Sequence, residues 1–288
     1  MRLLRITKNK MPFKTADLRK AMISLEQFKT YTLSPHHERY SFPFIRGTYF
    51  AYRKIDVLRI ISISKIVAKN GKSRYLDVGC GNGDFLTKIR EFIPNAVGID
   101  NDAKVFYYYN MVKPDYIKIA DARWGIDDQF DIIFVGWMDP GMDFRDAVAS
   151  KTDVIVTTLD QGISLAAEFE GNGFERIAKW RTPSWEDVNI EIMNRYYTKM
   201  SKKTYLSLSK LRGAHNLWYI YSRKPSKSEA IKSILIERLD DEKKDMCERY
   251  DFEDVLDECG FRYLEELQNL SSNVERKERL WDIQFNNI

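Results

Sequence analysis

The chain of 288 residues carries 46 Lys and Arg against 42 Asp and Glu, a formal net charge of +4, and is 44% hydrophobic. That is enough apolar material for one medium domain with appendages, and no apolar run approaches the length of a membrane span. The three cysteines, Cys80, Cys247 and Cys259, are scattered, which suggests neither a disulfide framework nor a zinc site; with no secretory signal at the start, a reducing cytoplasm is expected.

In chain order, Thr15 can cap a helix whose apolar stripe is Leu18, Met22, Leu25 and Phe28. The stretch around Ser34-Pro-His-His-Glu38 and Phe42-Pro-Phe44 reads as a loop, with His36 and His37 solvated rather than paired on a metal. A second helix is predicted from about Thr48 to Lys69, with Ile55, Leu58, Ile61 and Ile66 inward and Asn70-Gly71 ending it. These elements make residues 1–73 a basic, helical N-terminal segment.

The run Tyr75-Leu-Asp-Val-Gly-Cys-Gly-Asn-Gly-Asp84 carries the most functional information. An apolar strand feeds a turn with Gly79, Gly81 and Gly83 at every second position, a spacing that permits a tight turn and close approach of a bound group. Phe85, Leu86 and Ile89 follow at helical spacing, so the turn leads into a helix N-terminus. Cys80 reads as a small packing residue rather than a nucleophile. Nineteen positions past Gly81, the strand Ala96-Val-Gly-Ile-Asp100 ends in a carboxylate, where a doubly wound sheet places an acid for ribose hydroxyls. Further strands are expected at 116–119, 130–136 and 153–159, a helix at 163–171, and a closing strand pair at 174–181 and 217–223. Residues 225–288 read as a charged, mainly helical extension.

A nicotinamide dinucleotide needs Gly-x-Gly-x-x-Gly, but Asp84 stands where the third glycine belongs, facing a pyrophosphate. Asp77 before the turn and the Gly-x-Gly-x-Gly spacing suit instead a cofactor with a cationic centre and a free amino group. This block resembles motif I of the class I S-adenosylmethionine-dependent methyltransferases. The resemblance extends to Asp100, to Asp121 in Ile119-Ala-Asp-Ala-Arg123, and to Phe130 through Pro140, and it covers roughly residues 74–224. It implies an α/β fold: a doubly wound, mostly parallel seven-stranded sheet with helices on both faces and an antiparallel edge. It also implies S-adenosyl-L-methionine as cofactor, held by Asp77, Gly79, Cys80, Gly81, Gly83, Asp100, Asn101, Asp121, Ala122 and Gly136.

The loop Gly136-Trp-Met-Asp-Pro140 is the best candidate to present an acceptor. Asp139-Pro140 partly resembles the Asp-Pro-Pro-Tyr loop of amino-directed base methyltransferases, but Gly141 and Met142 replace the second proline and the aromatic. Asp139 therefore has two readings, an acid that holds or deprotonates the acceptor and one that merely ends a strand. Trp137 and Trp124 either wall the pocket or pack the sheet, and one of Tyr107, Tyr108 and Tyr109 stacks near adenine or simply packs. His215 reads as solvated.

Charge is segregated along the chain. Residues 1–74 carry 17 basic against 4 acidic residues, and residues 176–227 carry 12 against 3. Between the closing strands, residues 182–216 mix Trp185 and several tyrosines with Lys199, Lys202 and Lys203. An anionic macromolecule is the expected partner, RNA foremost, with Trp185, Pro140, Trp137, Lys199 and Lys203 on the acceptor side. The alternatives are a small-molecule or protein acceptor, with the basic segments paired to acidic C-terminal helices, and a binding module that keeps the fold without catalysis.

Overall fold

The computed structural model describes residues 52, 54–104, 106, 112–136, 138, 141–160, 168–182, 202, 215–245 and 282–286. Their elements in chain order are Lys54–Val67 (α1), Tyr75–Val78 (β1), Asp84–Arg90 (α2), Val97–Asp100 (β2), Ile117–Ile119 (β3) and Ala122–Gly125 (α3). Ile132–Val135 (β4), Arg145–Ala149 (α4), Val154–Asp160 (β5), Glu175–Arg181 (β6), His215–Ser222 (β7), Pro225–Asp245 (α5) and Gln284–Phe285 (β8) follow.

All eight strands belong to one sheet in the order β3-β2-β1-β4-β5-β7-β6-β8. The pairings from β3 to β5 are parallel, whereas β7 runs antiparallel between β5 and β6. The mostly parallel sheet with an antiparallel edge thus forms as expected, but with eight strands rather than seven. The eighth comes from the segment read as helical, since β8 pairs with β6 through Phe285 opposite Ala178. Two residues, one of them glutamine, are too few to leave a period in a sequence. Among the expected helical residues 163–171, those before 168 lie outside the described residues, and Glu170–Asn172 form a single 3-10 turn.

β1 and β4 are buried at every position because both sheet faces are covered. On one face Phe85, Phe134 and Trp218 pack with Val57 and Ile60 of α1 and with Ile231 and Leu235 of α5. On the other, Leu76, Val78, Ile133 and Ile155 pack with Val148 and Tyr221.

The inward face of α1 is not the one its isoleucines suggest. Ile55 and Ile61 are buried, but Leu58 is only half-buried and Ile66 is 47% exposed, while Asp56 and Arg59 are buried. The reason is a polar network under the sheet. The Trp180 indole N–H donates to Asp56 Oδ1 at 2.7 Å. Arg59 donates from Nε and Nη2 to the two carboxylate oxygens of Glu242 on α5, at 2.9 and 2.8 Å. The Arg59 guanidinium also lies 4.9 Å from the Trp180 ring centroid, and Trp180 stacks on Trp218 at 5.2 Å. Partners at both ends compensate for burying these charges.

No helix among the described residues is long and apolar enough to cross a membrane. Removing one member of a buried ion pair leaves the other charged in a dry site, so Glu242→Ala should lower unfolding free energy by about 3–5 kcal/mol. Replacing both partners, as Arg59→Met with Glu242→Leu, should recover most of that loss in urea denaturation.

Candidate active site

The turn after β1 lies where strand order reverses between β1 and β4, at the carboxyl end of the parallel strands. Gly79, Gly81 and Gly83 have φ of 73°, 56° and 84°, a backbone that side chains other than glycine rarely adopt. The end of β2 holds this turn. The Gly79 and Cys80 amides donate to the Ile99 carbonyl at 2.9 and 3.4 Å, and the Gly81 amide donates to Asp100 Oδ2 at 2.7 Å. Asp100 Oδ1 accepts from the Asp102 amide at 2.9 Å. The Asp100 carboxylate thus braces both the glycine turn and the backbone just after β2.

Cys80 is buried, and a Cβ at Gly98 would lie 2.7 Å from its sulfur. Burial first, then the charges of Asp77 and Asp100, push its thiol well up, so it fills space and is a poor nucleophile. Asp77 is 1% exposed and its Oδ1 has no hydrogen-bond partner. Burial, and then the nearby Asp100 carboxylate, raise its carboxyl well above the ordinary range.

Gly136, the residue after β4, donates its amide to the Val78 carbonyl at 2.9 Å and accepts from the Thr158 hydroxyl at 3.2 Å. A Cβ on Gly136 would stand 3.2 Å from the Phe134 ring, 3.4 Å from the Gly79 carbonyl oxygen and 3.7 Å from Asp77 Oδ1. The oxygens of Gly79 and Asp77 therefore lie beside the Gly136 backbone, where a Cβ would crowd the Phe134 ring and the Gly79 carbonyl. Asp84 does not point a bare carboxylate at the turn: the Tyr52 hydroxyl donates to its Oδ2 at 3.1 Å, and its own amide donates to Asn82 at 3.1 Å.

On the β2–β3 side, Asp121 caps α3, accepting from the Arg123 amide at 2.9 Å and the Arg123 Nε at 3.0 Å. These hydrogen bonds, the side-chain one foremost, hold its carboxyl below the ordinary range. Ala122 is buried beside it. Asn101 is exposed and donates to the Met142 sulfur at 3.5 Å, which ties the loop after β4 to the end of β2. Trp124 is 82% exposed, so it does not pack the sheet.

The structure thus brings together Asp77, Gly79, Cys80, Gly81, Gly83, Asp100 and Gly136, with Asn101, Asp121 and Ala122 along the β2–β3 margin. Trp137, Asp139, Pro140, Trp185, Lys199, Lys203 and the tyrosines 107–109 lie outside the described residues; Lys202 is exposed. Sequence reasoning missed Tyr52, Asn82, Met142 and Thr158. Asn82, an asparagine between two turn glycines, carried a readable turn signal; the others meet the site only through tertiary packing.

No family model and no curated protein sequence matches the chain. Solved structures to which it is similar include a putative sarcosine dimethylglycine methyltransferase from Galdieria sulphuraria, at 11% identity and a TM-score of 0.42, covering 65% of this chain and 98% of that one. A SAM-dependent methyltransferase from Archaeoglobus fulgidus is 18% identical at a TM-score of 0.38, covering 58% and 91%. A putative RNA methyltransferase from Pyrococcus horikoshii is 11% identical at a TM-score of 0.38, covering 58% and 82%.

Because the folded pKa of Asp77 is raised, the native protein binds its proton more tightly than the unfolded chain does. Stability from this group is complete below the unfolded pKa and is lost as pH climbs through the folded value. Asp77→Asn should therefore flatten the decline in unfolding free energy as pH rises above the ordinary carboxylate range, measured by urea melts of both proteins.

Proposed function

We propose that the protein is an S-adenosylmethionine-dependent methyltransferase acting on an anionic macromolecule, RNA foremost. The observation that carries the cofactor assignment is the set of oxygens at the switch point: Asp77 Oδ1 without a partner, the Gly79 carbonyl beside it, and Asp100 beyond the turn. A pyrophosphate would meet like charge there. A nucleoside bearing an ammonium and a sulfonium would meet acceptors.

Within this reading, Asp100 accepts ribose hydroxyls while continuing to hold the Gly81 amide. Asp77 and the Gly79 and Gly136 backbone receive the amino group. Asp121 and Ala122 border the adenine. The cofactor, when bound, supplies a methyl group made electrophilic by its sulfonium. The chain's task is then alignment and a deprotonated acceptor, for which Asp139 in the loop after β4 is the proposed residue.

The RNA assignment rests on charge. Residues 1–74 and 176–227 hold 29 basic against 7 acidic residues (17 plus 12, and 4 plus 3) in a chain whose net charge is only +4. Lysines and arginines would meet backbone phosphates, and interleaved tyrosine and tryptophan would stack bases.

Calorimetric titration with S-adenosylhomocysteine tests the cofactor. Asp100→Ala should weaken binding by roughly 1.5–3 kcal/mol, the value of a hydrogen bond to a charged group, and Gly81→Val should weaken it too. No heat, or binding of NAD in its place, refutes the assignment. For the acceptor, retention of RNA on filters should fall with salt, log affinity dropping by about 0.7–0.9 per phosphate contact. Changing Lys199, Lys202 and Lys203 to glutamate should flatten that slope and leave cofactor binding intact. Salt-independent retention, with a destabilised triple variant, would favour a small-molecule or protein acceptor.

A further inference from the structure

We infer that Met142 is a further residue of this site, and that with Asn101 it forms a gate the nucleoside must part to enter and leave. The inference rests on reading the turn after β1 as the cofactor site, and goes beyond it by assigning a residue that controls exchange.

Strand order makes their contact a bridge. β1 lies between β2 and β4 in the sheet, so a link from the chain after β4 to the chain after β2 spans the carboxyl end of β1. Asn101, the residue after β2, makes that link by donating to the Met142 sulfur at 3.5 Å. On one side of Asn101 stands Asp100, the acid proposed for the ribose. On the other, just past β3, are Asp121 and Ala122, proposed to border the adenine. A nucleoside held by both groups runs past Asn101. Two side chains 3.5 Å apart admit no ring between them, since contact alone takes about 4 Å on each side of it.

The backbone around Met142 is firm on one side and conformationally special on the other. Phe144 is buried in one cluster with Val135 and Val148. Asp143 accepts from the Arg145 amide and from the Arg145 Nε, each at 3.0 Å, which fixes the start of α4. Gly141 has a φ of 85°, yet a Cβ there would meet nothing within 4 Å. Backbone conformation rather than crowding therefore calls for glycine, and that conformation delivers Met142 to Asn101. Met142 is half-buried and Asn101 is exposed, so the gate opens toward solvent. An unbranched thioether with three rotatable bonds can leave Asn101 without moving the backbone, and an N–H to sulfur contact is weak. Met142 thus exchanges one contact for another: Asn101 when the cleft is closed, the nucleoside when it is loaded. Its side chain slows entry as well as exit.

The test is the association and dissociation rate constants of S-adenosylhomocysteine on the full chain, measured by stopped-flow tryptophan fluorescence. Met142→Ala should raise both by roughly two- to fivefold, the scale of a weak hydrogen bond, so that affinity changes less than either rate. Met142→Leu keeps the bulk and removes the sulfur acceptor, so it should raise association and leave dissociation nearly unchanged. Gly141→Ala should also raise association, because it disfavours the backbone that delivers Met142. Should Met142→Ala fail to fold, the other two variants still decide. An unchanged association rate in all the variants that fold would overturn the gate. Faster dissociation alone would make Met142 an ordinary ligand contact and overturn it too. In both cases binding by the unaltered protein leaves the cofactor assignment standing. No binding by the unaltered protein would remove that assignment, and this inference with it.

Discussion

Three successive amides of the turn after β1, those of Gly79, Cys80 and Gly81, are held by the Ile99 carbonyl and the Asp100 carboxylate at the end of β2. This fixes the polarity of the site. With those donors engaged inside the protein, the turn presents oxygens rather than N–H groups, the reverse of a phosphate-binding loop. It also makes the site depend on strand register. Val78 pairs with Ile99, and a slip of one residue would turn the Asp100 side chain to the opposite face of the sheet. The close approach at Gly136 extends the same constraint to β4, since a methyl group there would press on Phe134 and the Gly79 carbonyl.

Behind the site, charge is buried where a sheet of this kind could have been sealed with hydrocarbon. Asp56 and Arg59 on α1 meet Trp180 of β6 and Glu242 of α5. The indole of Trp218 stacks on Trp180 and donates to Thr182. A purely apolar contact between α1 and α5 would tolerate rotation of either helix. A bidentate pair at 2.8 and 2.9 Å does not. The network thus gives the two helices one orientation on the antiparallel edge, a specificity that area burial alone does not supply.

The parts of this architecture with a local cause were legible in the sequence. The strands centred on Leu76, Ile99, Ile133 and Val156 announced themselves as apolar runs, and the glycine spacing at 79, 81 and 83 located the turn between a strand and a helix. Asp77 and Asp100 were identifiable because each has a fixed place relative to that turn. What lacked a local cause stayed hidden. Nothing in Lys54–Val67 marks Arg59 as buried, since its partner lies on another helix. Tyr52 could not be connected with Asp84, nor Thr158 with Gly136, because hydroxyls find acceptors through packing. Asp121 kept its expected position at the end of β3, but its engagement by Arg123 is a side-chain detail that spacing does not specify. The eighth strand escaped because two residues cannot establish a period.

The pair formed by Arg59 and Glu242 closes a loop of 183 positions. Loop-closure entropy rises only slowly with length, so such a contact is tolerable once formed. Its cost falls on the pathway. Contacts of long sequence separation slow folding, and those absent from the transition state restrain unfolding rather than hasten folding. Until α5 docks, Arg59 of α1 lacks the carboxylate of Glu242. Where such a pair forms after the folding transition state, its consequence is a brake on separating α1 and α5 from the face of the sheet they share.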